Sequence, residues 1–302
     1  MNFHNKSGLD AHWLEARPVY RPAPRGVTPR VSTAKRLRAL AEAPFLGSAF
    51  IFPRRFDRAV GRLLKDPESV SITPDHAASY FGPLLHLEVD PGRLVDRISD
   101  YVLAPNGPKW MGTSFLDAAD WGAVVAPIDQ SPVHREMTEL VHAGRDYRDT
   151  WAYRSLIRAI ELGSPMTRNG VKITNTDEIE AYIHYCRDLI KSARKRGVVR
   201  RKASGAFHRL RVKHRDARSP ALDTSERDIG VAITAGGELV RHLGGKHRTA
   251  IAQALKLPSL PVEITLIHVH WIAERMQRTG LPAHLALKHG VSELRAALQA
   301  RA

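Results

Sequence analysis

One short run constrains this chain more than any other: Gly244-Gly245-Lys246-His247-Arg248, set between two strand-like segments and a helix. Ile229–Ile233 is a continuous apolar run, and Ala235-Gly236-Gly237 after it reads as a turn. Glu238–Leu243 reads as a second strand. Arg248–Lys256 reads as a helix with Ala250, Ile251, Ala254 and Leu255 on its buried face, closed by Pro258. Val262–His268 is a third strand. The order strand, glycine turn, helix, strand sets a helix N-terminus at the end of a sheet.

That position has definite chemistry. The first amides of a helix lack intrahelical acceptors and carry a partial positive charge. An anion placed there accepts them directly. Gly244 and Gly245 let the backbone approach closely, while Lys246, His247, Arg248 and Thr249 add donors. The six residues Gly244–Thr249 are therefore the expected phosphate or nucleotide site. The spacing is not that of a Walker A loop. A purely structural strand–helix turn, with Arg248 bonding carbonyls, is the competing account of the same residues.

Around this core the chain reads as α+β. Residues 1–35 form a basic, proline-rich arm (RPVYRPAPRGVTPR), residues 36–175 a mostly helical region, residues 176–270 the α/β module and residues 271–302 C-terminal helices. A short helix is expected at Ser32–Ala43, and a strand-like start followed by a basic amphipathic helix at 51–67. LLHLEVD at 84–90 reads as a strand. Asp90 and Pro91 read as the cap and first residue of a helix running through Leu94, Val95 and Ile98 to Val102. Pro132–Ala143 and Asp149–Leu162 read as helices. The clearest helix is 176–196, capped by Asn175 with Glu178 three residues on. Ile179, Tyr182, Ile183, Cys186, Leu189, Ile190 and Ala193 form its apolar stripe. Cys186, the single cysteine, is thus a core residue. Helices are also expected at 271–278 and 281–289, with Gly290 separating a last helical piece.

Charge bears on the partner. The 302 residues carry 46 Lys and Arg against 31 Asp and Glu, a formal +15, which favours contact with polyanions. Between Lys191 and Arg218 stand twelve basic residues and one acid, Asp216. This run is either a solvated face or a nucleic-acid surface built from Lys195, Arg196, Arg200, Arg201, Lys202, Arg209, Arg211 and Lys213. No apolar run approaches the ~20 residues of a membrane helix, and the N-terminus lacks a signal-type apolar stretch. With one cysteine, a cytoplasmic protein is expected.

The segment LGGKHRTAIAQALKLPSLPVEI resembles the signature of the ParB N-terminal/sulfiredoxin-like superfamily. There a strand leads into a G-x-x-R-type loop, a helix of the form A-x-x-A-x-x-L-x-L and a strand beginning Pro-Val. The resemblance covers about residues 179–270. It widens to roughly 85–270 for bacterial and archaeal proteins with an upstream region like DAADWGAVV…VHREMTELVHAGRDYRDTWAYRSLI. It implies a ParB-like fold and a nucleotide or phosphate ligand. A nucleotide hydrolase or phosphotransferase, with Mg²⁺ accompanying the nucleotide, is the catalytic version. In that version His247, Lys246 and Glu238 are the candidate catalytic residues, and Glu238 or Asp228 the carboxylates to approach the loop.

The chain also departs from the family. Lys246 stands where sulfiredoxin has its catalytic cysteine, so sulfinic-acid reduction is not expected. The partition-type box lacks its acid and its extra arginine, and the later E-N-x-x-R motif is absent. The free serine kinases have an Asp-Gly-His-His-Arg-like loop. Here Gly245, His247 and Arg248 remain and Gly244 replaces the acid.

Three further features are weighed. His268 and His270 would share a strand face, as a conceivable metal pair or as ordinary core histidines. No carboxylate or cysteine cluster accompanies them, so no metal site is assigned. Asp117, Asp120 and Trp121 would line a cleft, with Asp120 as a base, or form a capped turn. Residues 271–296 have a helix–turn–helix rhythm around Gly280, read either as DNA-reading or as packing helices. An interaction scaffold with a structural loop is the remaining alternative.

Overall fold

The structure is a computed structural model and describes residues 48–69, 71–98, 114–122, 124–143, 146–168, 171–200 and 228–300. The N-terminal arm, the Ser32–Ala43 helix and most of the basic run, from Arg201 through Lys202, Arg209, Arg211 and Lys213, lie outside them.

The fold is α+β, built on a mixed sheet. In chain order its first strands are β1 (His86–Val89), β2 (Asp96–Ile98), β3 (Leu116–Asp117) and β4 (Val125–Pro127). After a long helical stretch come β7 (Ile229–Ile233), β8 (Leu239–Arg241) and β9 (Leu260–His268). The strand order is β1-β9-β7-β8-β2-β4. β9 runs parallel to β7 on one side. Its other side is shared: β1 pairs antiparallel with its first half and β3 parallel with its last two residues. All five residues of β7 are buried, as suits a central strand read as a continuous apolar run.

The sheet therefore takes strands from both sides of the helical stretch. The region read as mostly helical supplies β1 to β4. The segment after β1 differs from expectation. Asp90 does cap, accepting the Gly92 N–H at 2.8 Å, but only a 3-10 turn, Pro91–Arg93, follows. The chain then enters β2, where a helix through Ile98 was expected. Leu94 and Ile98 are fully buried while Val95 is exposed. Apolar residues four apart suit a helix, yet pairing with β4 and β8 decides the segment for strand.

The helical stretch comprises α3 (Pro132–His142), α4 (Trp151–Glu161), a two-strand hairpin β5 (Thr167–Arg168) and β6 (Val171–Lys172), and α5 (Thr176–Arg196). The expected cap of α5 forms: Asn175 Oδ1 accepts the Glu178 N–H, and Glu178 Oε2 accepts the Thr174 N–H. Its predicted stripe is the buried one. Gly197, at φ +70°, ends it.

α6 (Lys246–Ala254) joins the two layers. Ala252 belongs to the core beneath the sheet, which includes Val231, Val262 and Ile264. Ala250 and Ile251 belong instead to the helical core with Met137, Leu140, Ile179 and Ile183. The sheet core is closed by α1 (Ser48–Leu63), α2 (Pro74–Phe81), α7 (Val269–Thr279) and α8 (Ala283–Gln299). The strand-like start expected near residue 51 is helical. α8 also runs unbroken through Gly290, which was expected to end a helix. A Cβ there would stand 2.4 Å from Arg275 Cδ and 2.9 Å from Trp271 Cη2. Gly290 is a packing residue that lets α7 and α8 approach, not a stop.

Candidate functional site

The glycine turn sits where β8 hands over to α6. Arg241 ends β8, paired with Val231 of β7 and in register with Arg97 of β2. The ladder extends one step further, with His242 N–H bonding Gly230 O at 2.7 Å. Gly244 and Gly245 then take consecutive left-handed conformations, at φ +65° and +63°. An L side chain resists such backbone. At Gly245 it would also collide, since a Cβ would lie 2.3 Å from Ile229 Cγ1.

Gly245 caps α6 and, as a glycine, brings no side chain of its own to the cap. The first intrahelical bond runs from Thr249 N–H to Gly245 O at 2.8 Å. The amides of Lys246, His247 and Arg248 precede it. They form the positive end of the helix.

The side chains divide into two groups. Lys246 is half-buried. Arg248, 12% exposed, lies 3.8 Å from buried Asp228, just ahead of β7. Behind the turn, buried Arg241 sends Nη1 to within 3.4 Å of Gly244 O. The turn is thus bracketed by cations, with Asp228 as counter-charge.

His247 and Thr249 face elsewhere. The Thr249 side chain is fully buried, and its hydroxyl finds no hydrogen-bond partner among the described residues. His247 keeps a sliver of exposed surface, but its ring sits deep, with Nε2 3.0 Å from the Tyr182 hydroxyl. Tyr182 in turn donates to Glu136 Oε2 at 3.1 Å. Glu136, fully buried on α3, pairs with Arg168 of β5, whose Nε lies 3.1 Å from Oε2 and whose Nη2 contacts Oε1. Burial, then the charges of Arg168, Lys246 and Arg248, push His247 down to about 3. A ring neutral at pH 7 that bonds inward to Tyr182 adds no positive charge at the turn.

Glu238 is also displaced. It lies in the β7–β8 turn just before β8, where Thr234 donates to its carboxylate and holds it below the usual range. Gly244 lies beyond the other end of β8. Of the two carboxylates expected to approach the loop, Asp228 does and Glu238 does not.

The other predicted groups resolve as structural. Asp120 Oδ1 accepts the Gly122 N–H, a capped turn. Asp117 accepts from Ala119 N–H and Trp121 Nε1. His268 ends β9 and caps α7, with Nδ1 accepting the His270 N–H and Nε2 donating to Ala119 O. His270 falls on α7, so the two do not share a strand face. No group of three or more His, Cys, Asp or Glu among the described residues is arranged to hold a metal ion.

On the basic surface, Lys195 and Arg196 are exposed in the last turn of α5. Arg200 bonds Leu87 O and Glu88, so it is partly spent on the fold. The helix–turn–helix rhythm becomes a packed hairpin. His284 is tied to Asp57, Lys288 stacks over Tyr80 and Arg295 bonds the carbonyls of Pro83, Leu84 and His86.

Tyr182, Glu136, Arg168 and Arg241 were not singled out by sequence. The one available signal was Tyr182, because a tyrosine on a buried stripe needs a partner for its hydroxyl.

Comparisons with protein-family models, with curated proteins and with solved structures find no match for this chain.

Proposed function

We propose that this is a ParB-like nucleotide- or phosphate-binding protein of the cytoplasm, holding its anion at the Gly244–Gly245 turn. The carrying observation is the left-handed glycine pair that opens α6, followed at once by Lys246, His247 and Arg248. A phosphate there would accept the amides of Lys246, His247 and Arg248 and be neutralised by the Lys246 and Arg248 side chains. The resemblance of Leu243–Ile264 to the ParB/sulfiredoxin signature supports the same assignment. Mg²⁺ accompanying a nucleotide would meet Asp228 beside Arg248 and take its remaining ligands from phosphate and water, as that ion usually does. The lone cysteine, buried on α5, suits a reducing compartment.

A second reading, nucleic-acid binding, is favoured by the exposed cations Lys191, Arg194, Lys195 and Arg196 on α5. The two readings separate in a thermal-shift screen of wild type and Arg248→Ala against nucleotides, sugar phosphates, DNA and RNA. A ligand of the folded state at 100 times its dissociation constant stabilises by about 2.7 kcal/mol. The phosphate reading expects a nucleotide or sugar-phosphate shift that Arg248→Ala abolishes. A shift with DNA or RNA alone, unchanged by the substitution and steeply salt-dependent, would transfer the function to the basic surface. No shift with any compound would leave a scaffold.

A further inference from the structure

The turn is joined to the helical layer by one polar chain through the core. It runs from Arg168 on β5 to Glu136 on α3, to Tyr182 on α5, to His247 on α6. Arg168, Glu136 and Tyr182 are all buried. Four polar side chains meeting between apolar helices need a reason, because a buried ion pair adds little stability by itself.

The direction of each bond follows from the acid. Glu136 is paired with the Arg168 guanidinium, so its carboxylate only accepts. The Tyr182 proton therefore goes to Glu136, and the phenol oxygen accepts from His247. His247 must then carry its proton on Nε2 and a lone pair on Nδ1. In that tautomer Nδ1 repels a phosphate oxygen and accepts only from a donor. The charged and titratable groups acting on the ring are Tyr182 on α5, Arg168 on β5, and Lys246 and Arg248 on α6, with Glu136 and Cys186 acting on Tyr182 in turn.

We propose that His247 is a positioning residue: fixed as its Nε2–H tautomer by the chain Arg168–Glu136–Tyr182, it tethers the first turn of α6 and so holds the Gly244–Gly245 turn in its anion-presenting shape. The ligand arm of this proposal rests on the phosphate reading; the tether itself does not. His247 occupies the second position of α6, between Lys246 and Arg248. Anchoring its ring to α5 fixes the amides of Lys246, His247 and Arg248 relative to the sheet. A residue 65 positions away thereby governs a loop it does not belong to.

The test compares full-length Tyr182→Phe, His247→Asn and His247→Gln. Glutamine carries an amide N–H near the place of imidazole Nε2, whereas asparagine mimics Nδ1. Amide hydrogen exchange over residues 245–249 and the dissociation constant for inorganic phosphate are the readouts. Tyr182→Phe and His247→Asn should each speed exchange and weaken phosphate binding about tenfold, the loss of one buried hydrogen bond, and His247→Gln should restore both. Equal damage from the glutamine and asparagine variants, or unchanged exchange in Tyr182→Phe, overturns the tether. The expected exchange pattern in a protein that binds no phosphate keeps the tether and overturns the phosphate reading. Ring ¹⁵N spectra of the wild type decide the case should a variant fail to fold: an Nε2–H imidazole neutral down to about pH 3 upholds the assignment, and protonation near pH 6.5 refutes it.

Discussion

Glu136 and Arg168 form an ion pair in which both side chains are withdrawn from water, at 0% and 6% exposure, in the middle of the helical layer. Burial opposes the arginine's charge, but Glu136 outweighs it and leaves the guanidinium more firmly protonated than usual. Removing one partner strands the other. Glu136→Ala should destabilise by about 3–5 kcal/mol, because Arg168 is left as an uncompensated buried cation. The paired replacement Glu136→Leu with Arg168→Met should recover most of that loss. Urea midpoints of the two variants check both statements, and a mild effect of Glu136→Ala would mean that the pair is open to water.

His247 makes the fold acid-sensitive. Its folded pKa is about 3, against about 6.5 in the unfolded chain. Between those values the unfolded state binds a proton that the native state refuses, so stability rises with pH. The contribution is complete above about pH 6.5 and is lost as pH falls toward 3, by up to about 1.4 kcal/mol per unit. His134 and His268, also lowered by burial, act in the same direction. His247→Gln should therefore flatten, without abolishing, the decline of stability from pH 6.5 to 4, as followed by thermal melts.

Gly245 carries two constraints at once, a φ of +63° and contact with Ile229. Gly245→Ala should cost about 2–4 kcal/mol, combining left-handed strain with overpacking. Gly163 has a similar φ of +66° with open space around it, so Gly163→Ala should show the strain alone, about 1–2 kcal/mol. The difference between the two, read from denaturant midpoints, measures how tightly the turn is seated on β7.

Local chemistry made much of this legible. Asn175, Glu178 and the stripe from Ile179 to Ala193 define α5 because cap and periodicity agree. β7, the turn, α6 and β9 follow the same way, from a glycine-punctuated alternation of apolar runs. Residues 94–98 were misread because their spacing fits helix and strand alike, and only pairing with β4 and β8 chooses. The polar chain under the turn was invisible for another reason. Its bonded neighbours are 32 to 65 residues apart, and Tyr182 looks like any apolar stripe position. Which side of α6 each of His247, Arg248 and Thr249 presents depends on that packing, not on the motif.

Gly290 reverses an ordinary rule. Alanine for glycine inside an exposed helix stabilises by about 1 kcal/mol. Here the new Cβ would press on Arg275 and on Trp271, over whose ring Arg275 stacks at 3.8 Å. Gly290→Ala should lower the melting temperature, and a rise would show that α7 and α8 can separate without cost.

The proposed function puts an anion on the first turn of α6. Backbone amide NMR during titration with inorganic phosphate and then with nucleotides tests it most directly. With the anion there, the Lys246, His247 and Arg248 amides should shift most, with saturation, and Arg248→Ala should remove the response. Shifts confined to Lys195 and Arg196 on α5, or no saturating change at residues 246–248, would contradict it.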